Sequence, residues 1–138
     1  MSVLLDTDVL IDLVLDRQPY SRSAADLLEQ IQTTGYRAFI AWHTVANFHY
    51  LVSPSRGRRN ARDFIVELAR FVGVAAGDAQ AIRYAATLPM KDFEDAMQVA
   101  AARLCGASCI VTRNIKDYER SPTPAITPQQ ALGRLPGG

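Results

Sequence analysis

Val3-Leu4-Leu5-Asp6-Thr7-Asp8-Val9-Leu10-Ile11-Asp12 runs three apolar residues into an aspartate and then changes period. Val3 to Leu5 read as a short buried strand, whereas Val9, Leu10, Leu13 and Val14 recur at helical spacing from Thr7 onward. Asp6 stands at the junction. In sheets built from such strand-to-helix units, sites form beyond the carboxyl ends of the strands, where Asp6 falls.

The rest of the chain repeats the alternation. Arg17-Gln18-Pro19 breaks the first helix, Ser21 or Ser23 can cap a second helix carrying Ala24, Leu27, Leu28 and Ile31, and Gly35 stops it. Arg37 to Ala41 reads as a strand, and His43 to Val52 as a helix ended by the turn residues Ser53-Pro54-Ser55-Arg56-Gly57. A helix from about Asn60 to Phe71 and a weak strand, Val72 to Ala75, follow. Asp78 is placed to cap a helix through Leu88, and Pro89 separates it from a helix over Asp92 to Leu104. Ser108 to Thr112 is the clearest strand, Ala125-Ile126 a last edge strand, and Pro128 opens a terminal helix before a loose Pro-Gly-Gly tail. Strands separated by helices throughout predict an α/β fold whose parallel sheet is covered on both faces.

At 138 residues, 49% hydrophobic and 21% charged, the chain is expected to form one domain over residues 1–138 with a core that needs no disulfide. No apolar run approaches the roughly 18 residues of a membrane span, and Asp6 interrupts the N-terminal run before a secretory segment forms, so a cytoplasmic protein is expected. Cys105 and Cys109 have no zinc-site spacing and read as reduced core residues. The net charge of +1 does not advertise nucleic acid. Locally, Arg56, Arg58, Arg59 and Arg62 form either a solvated cluster or a contact for RNA or an acidic partner, while Arg113 and Lys116 are nearer candidates for phosphate.

The chemistry is carried by aspartates at element ends: Asp6 and Asp8, Asp92 and Asp95, and Asp117. Carboxylates brought together from distant segments repel one another unless a divalent cation lies between them. Asp95 shares a helix face with Val99 and Ala102, an inward position that a carboxylate takes only with a positive or donating partner. Asp92 is either a cap for that helix or a site residue, and Glu94 is expected at the surface. Asp8 reads first as a helix N-terminal carboxylate favoured by the macrodipole, and Asp12 and Asp16 as solvated. Asn114 and Asp117 offer oxygen ligands for Mg²⁺ or Mn²⁺, against an Asx turn and a local cap. His43 and His49, six residues apart, read as packing or surface residues, with His43 able to approach the site mouth.

Four stretches in this order resemble the PIN-domain family, which includes the VapC-type toxins: Leu4-Leu5-Asp6-Thr7-Asp8-Val9-Leu10-Ile11-Asp12, Thr44-Val45-Ala46-Asn47, Lys91-Asp92-Phe93-Glu94-Asp95-Ala96, and Ile110-Val111-Thr112-Arg113-Asn114-Ile115-Lys116-Asp117-Tyr118. The resemblance implies a three-layer α/β/α sandwich with a central parallel sheet and a Mg²⁺- or Mn²⁺-dependent ribonuclease. It further implies a homodimer and a cognate antitoxin. By that match Asp6, Asp95 and Asp117 would be the catalytic metal ligands, with Asn114 and Thr112 beside them; Asp92 is a further candidate ligand, and Thr44, Asn47, Thr112, Arg113 and Lys116 are expected toward the RNA. Many family members carry Glu where this chain has Asn47, and an amide adds an oxygen but no charge. Asp92 is then a candidate for the missing carboxylate.

Two other readings compete. Asp6-Thr7-Asp8-Val9 superficially matches aspartyl-nucleophile phosphatases, but their fifth position is Leu10 here and no later lysine with paired acids completes the set. Asn47 also supports a catalytically weak or inactive PIN fold that binds RNA or a partner protein.

Overall fold

A computed structural model describes residues 2–134 of the chain, so the Pro-Gly-Gly tail lies outside the described residues. Strands β1 (Val3–Leu5), β2 (Ala38–Ala41), β3 (Gly73–Ala75), β4 (Cys109–Val111) and β5 (Ala125–Ile126) form one parallel sheet in the order β3-β2-β1-β4-β5. The chain travels outward from β1 through β2 to β3, then crosses back and continues on the other side with β4 and β5. β1 therefore lies between two strands, with Val3 opposite both Ala38 and Cys109. That central position explains its unalternating apolar sequence, because both of its faces are covered.

Helices α1 (Thr7–Val14), α2 (Ser21–Thr34), α3 (Trp42–Arg56), α4 (Arg58–Leu68), α5 (Ala79–Thr87), α6 (Phe93–Cys105) and α7 (Pro128–Arg134) supply the two outer layers. Strand side chains alternate between them. Val3, Leu5, Cys109 and Val111 join the cluster made with α1, α2, α3, α4 and α7, whereas Leu4 and Ile110 pack with Val99, Ala101 and Ala102 of α6. α5 in turn packs on α6. This is the three-layer α/β/α sandwich.

Some local expectations change. α3 does not stop at Val52; it continues through Pro54 to Arg56 and ends at Gly57, whose φ of +88° favours glycine. Proline removes one helical hydrogen bond, but this last turn is anchored from within by the fully buried Phe48 and Val52 and from outside by Arg56 Nε, which donates to Val14 O. Phe48 also stacks on Phe64 with ring centroids 5.1 Å apart, which places both in the core. A 3-10 helix, Ile115–Tyr118, follows β4 where sequence periodicity showed no element. Both cysteines are free, with Cys109 buried. Arg58, Arg59 and Arg62 are exposed beside Arg56, next to the end of α1 remote from Asp6.

Candidate functional site

The crevice lies where the sheet order reverses, between β1 and β4. Asp6 leaves β1 with its N–H bonded to Val111 O at 2.9 Å, so the exit from β1 is fixed to β4. It is also the N-cap of α1, its Oδ1 accepting from the Thr7 N–H at 2.7 Å. Its other oxygen, Oδ2, accepts the Tyr118 hydroxyl at 2.9 Å, and the same hydroxyl stands 3.4 Å from Asp95 Oδ1. One phenol from the 3-10 helix thus joins a carboxylate behind β1 to one on α6.

These carboxylates hold protons unusually well. Burial, with the charges of Asp8 and Glu94 added, pushes Asp6 up to about 8 against the hydrogen bonds from Tyr118 and Thr112. Asp95 rises to about 7, through burial first and then repulsion from Asp92, Glu94 and Asp117. The Tyr118 hydroxyl is itself pushed up by burial and by those two aspartates, so it stays a donor.

Asp92 caps α6, its Oδ1 accepting from the N–H groups of Glu94 at 2.8 Å and Asp95 at 3.2 Å. This is the capping role weighed for it, and it fixes the first turn so that Asp92, Glu94 and Asp95 each offer an oxygen within 4.8 Å of the others. Asp92 and Asp95 share an open groove with Lys116 and Asp117 from the 3-10 helix. Asp6, Asp95 and Asp117 are therefore neighbours, although they come from three separated stretches.

On the other side of Asp6, Asp8 Oδ2 accepts from Thr112 Oγ1 at 2.8 Å and Asn114 Nδ2 at 3.0 Å. Asp8 thus stands in the first turn of α1 as its macrodipole favours, and also ties that turn to the segment leaving β4. Burial raises its pKa, partly opposed by Thr112 and Arg113. One turn further, Asp12 is not solvated: it is 1% exposed and accepts from Arg113 Nε at 2.6 Å. The i, i+4 spacing from Asp8 was the available signal that both look toward β4. Arg113, also stacked 4.8 Å from the Tyr20 ring centroid, is held by a carboxylate of its own chain. Asp16 is exposed, as expected, and accepts from Ser21 and Gln18.

A polar network that sequence reasoning missed lies under the same crevice. Glu94 lies partly at the surface, as expected, with its side chain 37% exposed, yet it is held from within: His43 Nε2 donates to its Oε2 at 2.7 Å, and Gln98 Nε2 does so at 3.0 Å. A carboxylate oxygen only accepts, so the imidazole proton is on Nε2. The Gln98 amide also reaches Thr44 Oγ1 at 3.0 Å and Thr7 Oγ1 at 3.3 Å, and the two threonine hydroxyls bond each other at 2.9 Å. Thr44, Thr112 and Gln98 have no exposed surface, so their polar groups position neighbours. Asn47 is half-buried one turn along α3 and takes no part in these bonds. The signal for Gln98 was a polar residue beside the apolar Val99 and Ala102 positions.

Among the described residues, Asp8 Oδ1 and Gln98 Oε1 are buried without a hydrogen-bond partner, as are Asp12 Oδ1 and the Tyr36 hydroxyl elsewhere in the fold. Such a group costs about 1–3 kcal/mol, which a structure keeps where something else compensates. A crowded, all-oxygen set with raised carboxylate pKa values and an orphaned carboxylate oxygen fits a hard divalent cation of the Mg²⁺ or Mn²⁺ kind.

Residues 2–116 match the family model described as PIN domain. No curated protein matches the chain. Among solved structures, the chain is similar to VapBC2 from Rickettsia felis bound to a DNA fragment from its promoter, with 18% identity, a TM-score of 0.71, and coverage of 92% of this chain and 98% of that one. It is also similar to a toxin–antitoxin complex from Klebsiella pneumoniae, at 23% identity and a TM-score of 0.68, covering 91% and 97%. A third, VapC20 from Mycobacterium tuberculosis, described as a sarcin–ricin loop cleaving toxin, gives 17% identity and a TM-score of 0.62 over 78% and 86%.

Proposed function

The chain belongs to the PIN-domain family, and we propose that it is a divalent-metal-dependent endoribonuclease that hydrolyses RNA phosphodiester bonds as the toxin of a toxin–antitoxin pair. The observation that carries this reading is the meeting of Asp6, Asp95 and Asp117 around Tyr118 at the reversal of the sheet. Asp6, Asp95 and Asp117 would hold Mg²⁺ or Mn²⁺, with Asp92 and Asn114 as further oxygen donors. Such a cation would supply Lewis acidity, activating a water and offsetting charge on the scissile phosphate.

The protein's own groups supply position. The Asp6 side chain is held from both ends, by the Thr7 N–H and the Tyr118 hydroxyl. Lys116 lines the groove with Asp92, Asp95 and Asp117, as do Lys91 and Arg120, and these cations would meet an entering phosphate. Arg113 acts at one remove, by fixing Asp12 and the segment that carries Asn114.

The toxin assignment is supported by the similarity to structures described as VapBC and toxin–antitoxin complexes, and it includes a cognate antitoxin and a homodimer. We further propose that it acts as one PIN-like domain in the cytoplasm, where RNA is met. No helix of the described residues is long and apolar enough to cross a membrane. The test is cleavage of a mixed RNA pool with Mn²⁺, Mg²⁺ or EDTA, beside Asp6→Asn and Asp95→Asn. Metal-dependent cutting lost in both variants is the expected result. No cutting by the folded wild-type protein, with RNA retained equally by the variants, would leave an inactive binding module.

A further inference from the structure

Two donors from different helices converge on one carboxylate that the three-aspartate site does not explain. His43 on α3 and Gln98 on α6 both donate to Glu94 Oε2, and among the described residues neither that pair nor any other donor engages Oε1. Gln98 is fully buried, its amide oxygen has no partner, and its nitrogen spans Glu94, Thr44 and Thr7. A buried amide left half unpaired is retained for what its nitrogen does. Here the nitrogen holds the acid on the side of α6 that carries Asp95.

Glu94 is also close enough to matter there. One of its oxygens lies within 4.8 Å of oxygens from both Asp92 and Asp95, and its charge is felt at Asp6 as well as at Asp95. α3, which meets Glu94 through His43, carries no acid of its own.

We infer that Glu94 is a further carboxylate of the cation site, with His43 and Gln98 as its positioning residues. The inference rests on the cation-site reading above. It assigns Glu94 a direct or water-bridged contact with the cation and gives His43 a role that involves no proton transfer to substrate. Outer partners that orient a ligand in this way typically change metal affinity about 10–100-fold when removed.

The experiment is calorimetric titration of Mn²⁺ into the full chain, which reads affinity without turnover. Glu94→Gln, nearly isosteric and checked for an unchanged circular dichroism spectrum, is expected to bind about tenfold or more weakly than wild type. His43→Gln is expected to weaken binding too, but to add nothing in the Glu94→Gln background, which a merely structural histidine would not obey. Wild-type affinity in folded Glu94→Gln, or independent and additive losses for His43→Gln, would overturn the inference while leaving the three-aspartate site intact. Absence of Mn²⁺ binding by the wild-type protein would instead overturn the cation-site reading itself, and the inference with it.

Discussion

The Tyr118 hydroxyl donates to Asp6 Oδ2 at 2.9 Å across 112 residues of sequence and fastens the 3-10 helix after β4 to the end of β1. Its ring is buried with Leu4, Ile110 and Val99, so deleting the oxygen alone leaves the packing in place. Tyr118→Phe is therefore expected to cost the metal-free protein about 1.5–3 kcal/mol at pH 9, the range for a hydrogen bond to a charged group. Urea unfolding reads it; an unchanged midpoint would show that the phenol does not hold Asp6.

Asp6 and Asp95 make the metal-free protein sensitive to pH in an unusual direction. Folded Asp6 keeps its proton up to about 8 and Asp95 up to about 7, whereas an exposed aspartate loses it near 3.8. Across that window the folded state binds more protons than the unfolded one, so stability falls as pH rises. Thermal scans in EDTA are expected to show Tm declining between pH 5 and pH 8, with a much shallower decline in Asp6→Asn. Mn²⁺ is expected to raise Tm more at pH 8 than at pH 5, and a Tm that climbs with pH in EDTA would contradict the account.

Arg113 holds a carboxylate that has no access to water. Its Nε lies 2.6 Å from Asp12 Oδ2, and the two side chains are 25% and 2% exposed. Arg113→Met is expected to lower stability by about 3 kcal/mol, toward the lower end of values for breaking a buried pair because the guanidinium keeps some water. Adding Asp12→Asn is expected to recover part of the loss. Equilibrium denaturation of the two single variants and the double variant measures the coupling, and additive losses would argue against the pair.

Thr44 is the hub between α1, α3 and α6, bonded to Thr7 and Gln98 with no exposed surface. Thr44→Val keeps the shape and removes the hydroxyl, and should destabilise by about 1–3 kcal/mol by stranding buried donors. A neutral result in chemical denaturation would mean that water replaces the hydroxyl.

Much of this architecture was legible before any coordinates. β1 and Ala125-Ile126 match the structure in extent, Asp78 and Asp92 cap α5 and α6 as their types and positions indicate, and Gly35 ends α2 in the left-handed region. Those signals are local, as caps and hydrophobic runs are. Two kinds of feature escaped. Pro54 was read as a stop because turn chemistry is also local, whereas the burial of Phe48 and Val52 that carries α3 past it is tertiary. Asp12 was read as solvated, and the inner partners of Glu94 went unseen, because helical spacing gives a face without saying what opposes it; Arg113 and His43, distant in sequence, are what oppose them. The three Asp-containing stretches could be named from sequence, but not that a tyrosine hydroxyl spans two of their carboxylates.

The reversed strand order also has a temporal meaning during synthesis. Chain growth delivers β1, β2 and β3 first, then β4, and only afterwards the turn that carries Asp117 and Tyr118. A nascent polypeptide that ends before Tyr118 carries Asp6 and Asp95 with nothing to bridge them, so no ribosome-bound fragment of that length can possess the assembled centre. The bridge between Asp6 and Asp95 is in this way withheld from the growing chain until Tyr118, 118 residues into the 138, has been made.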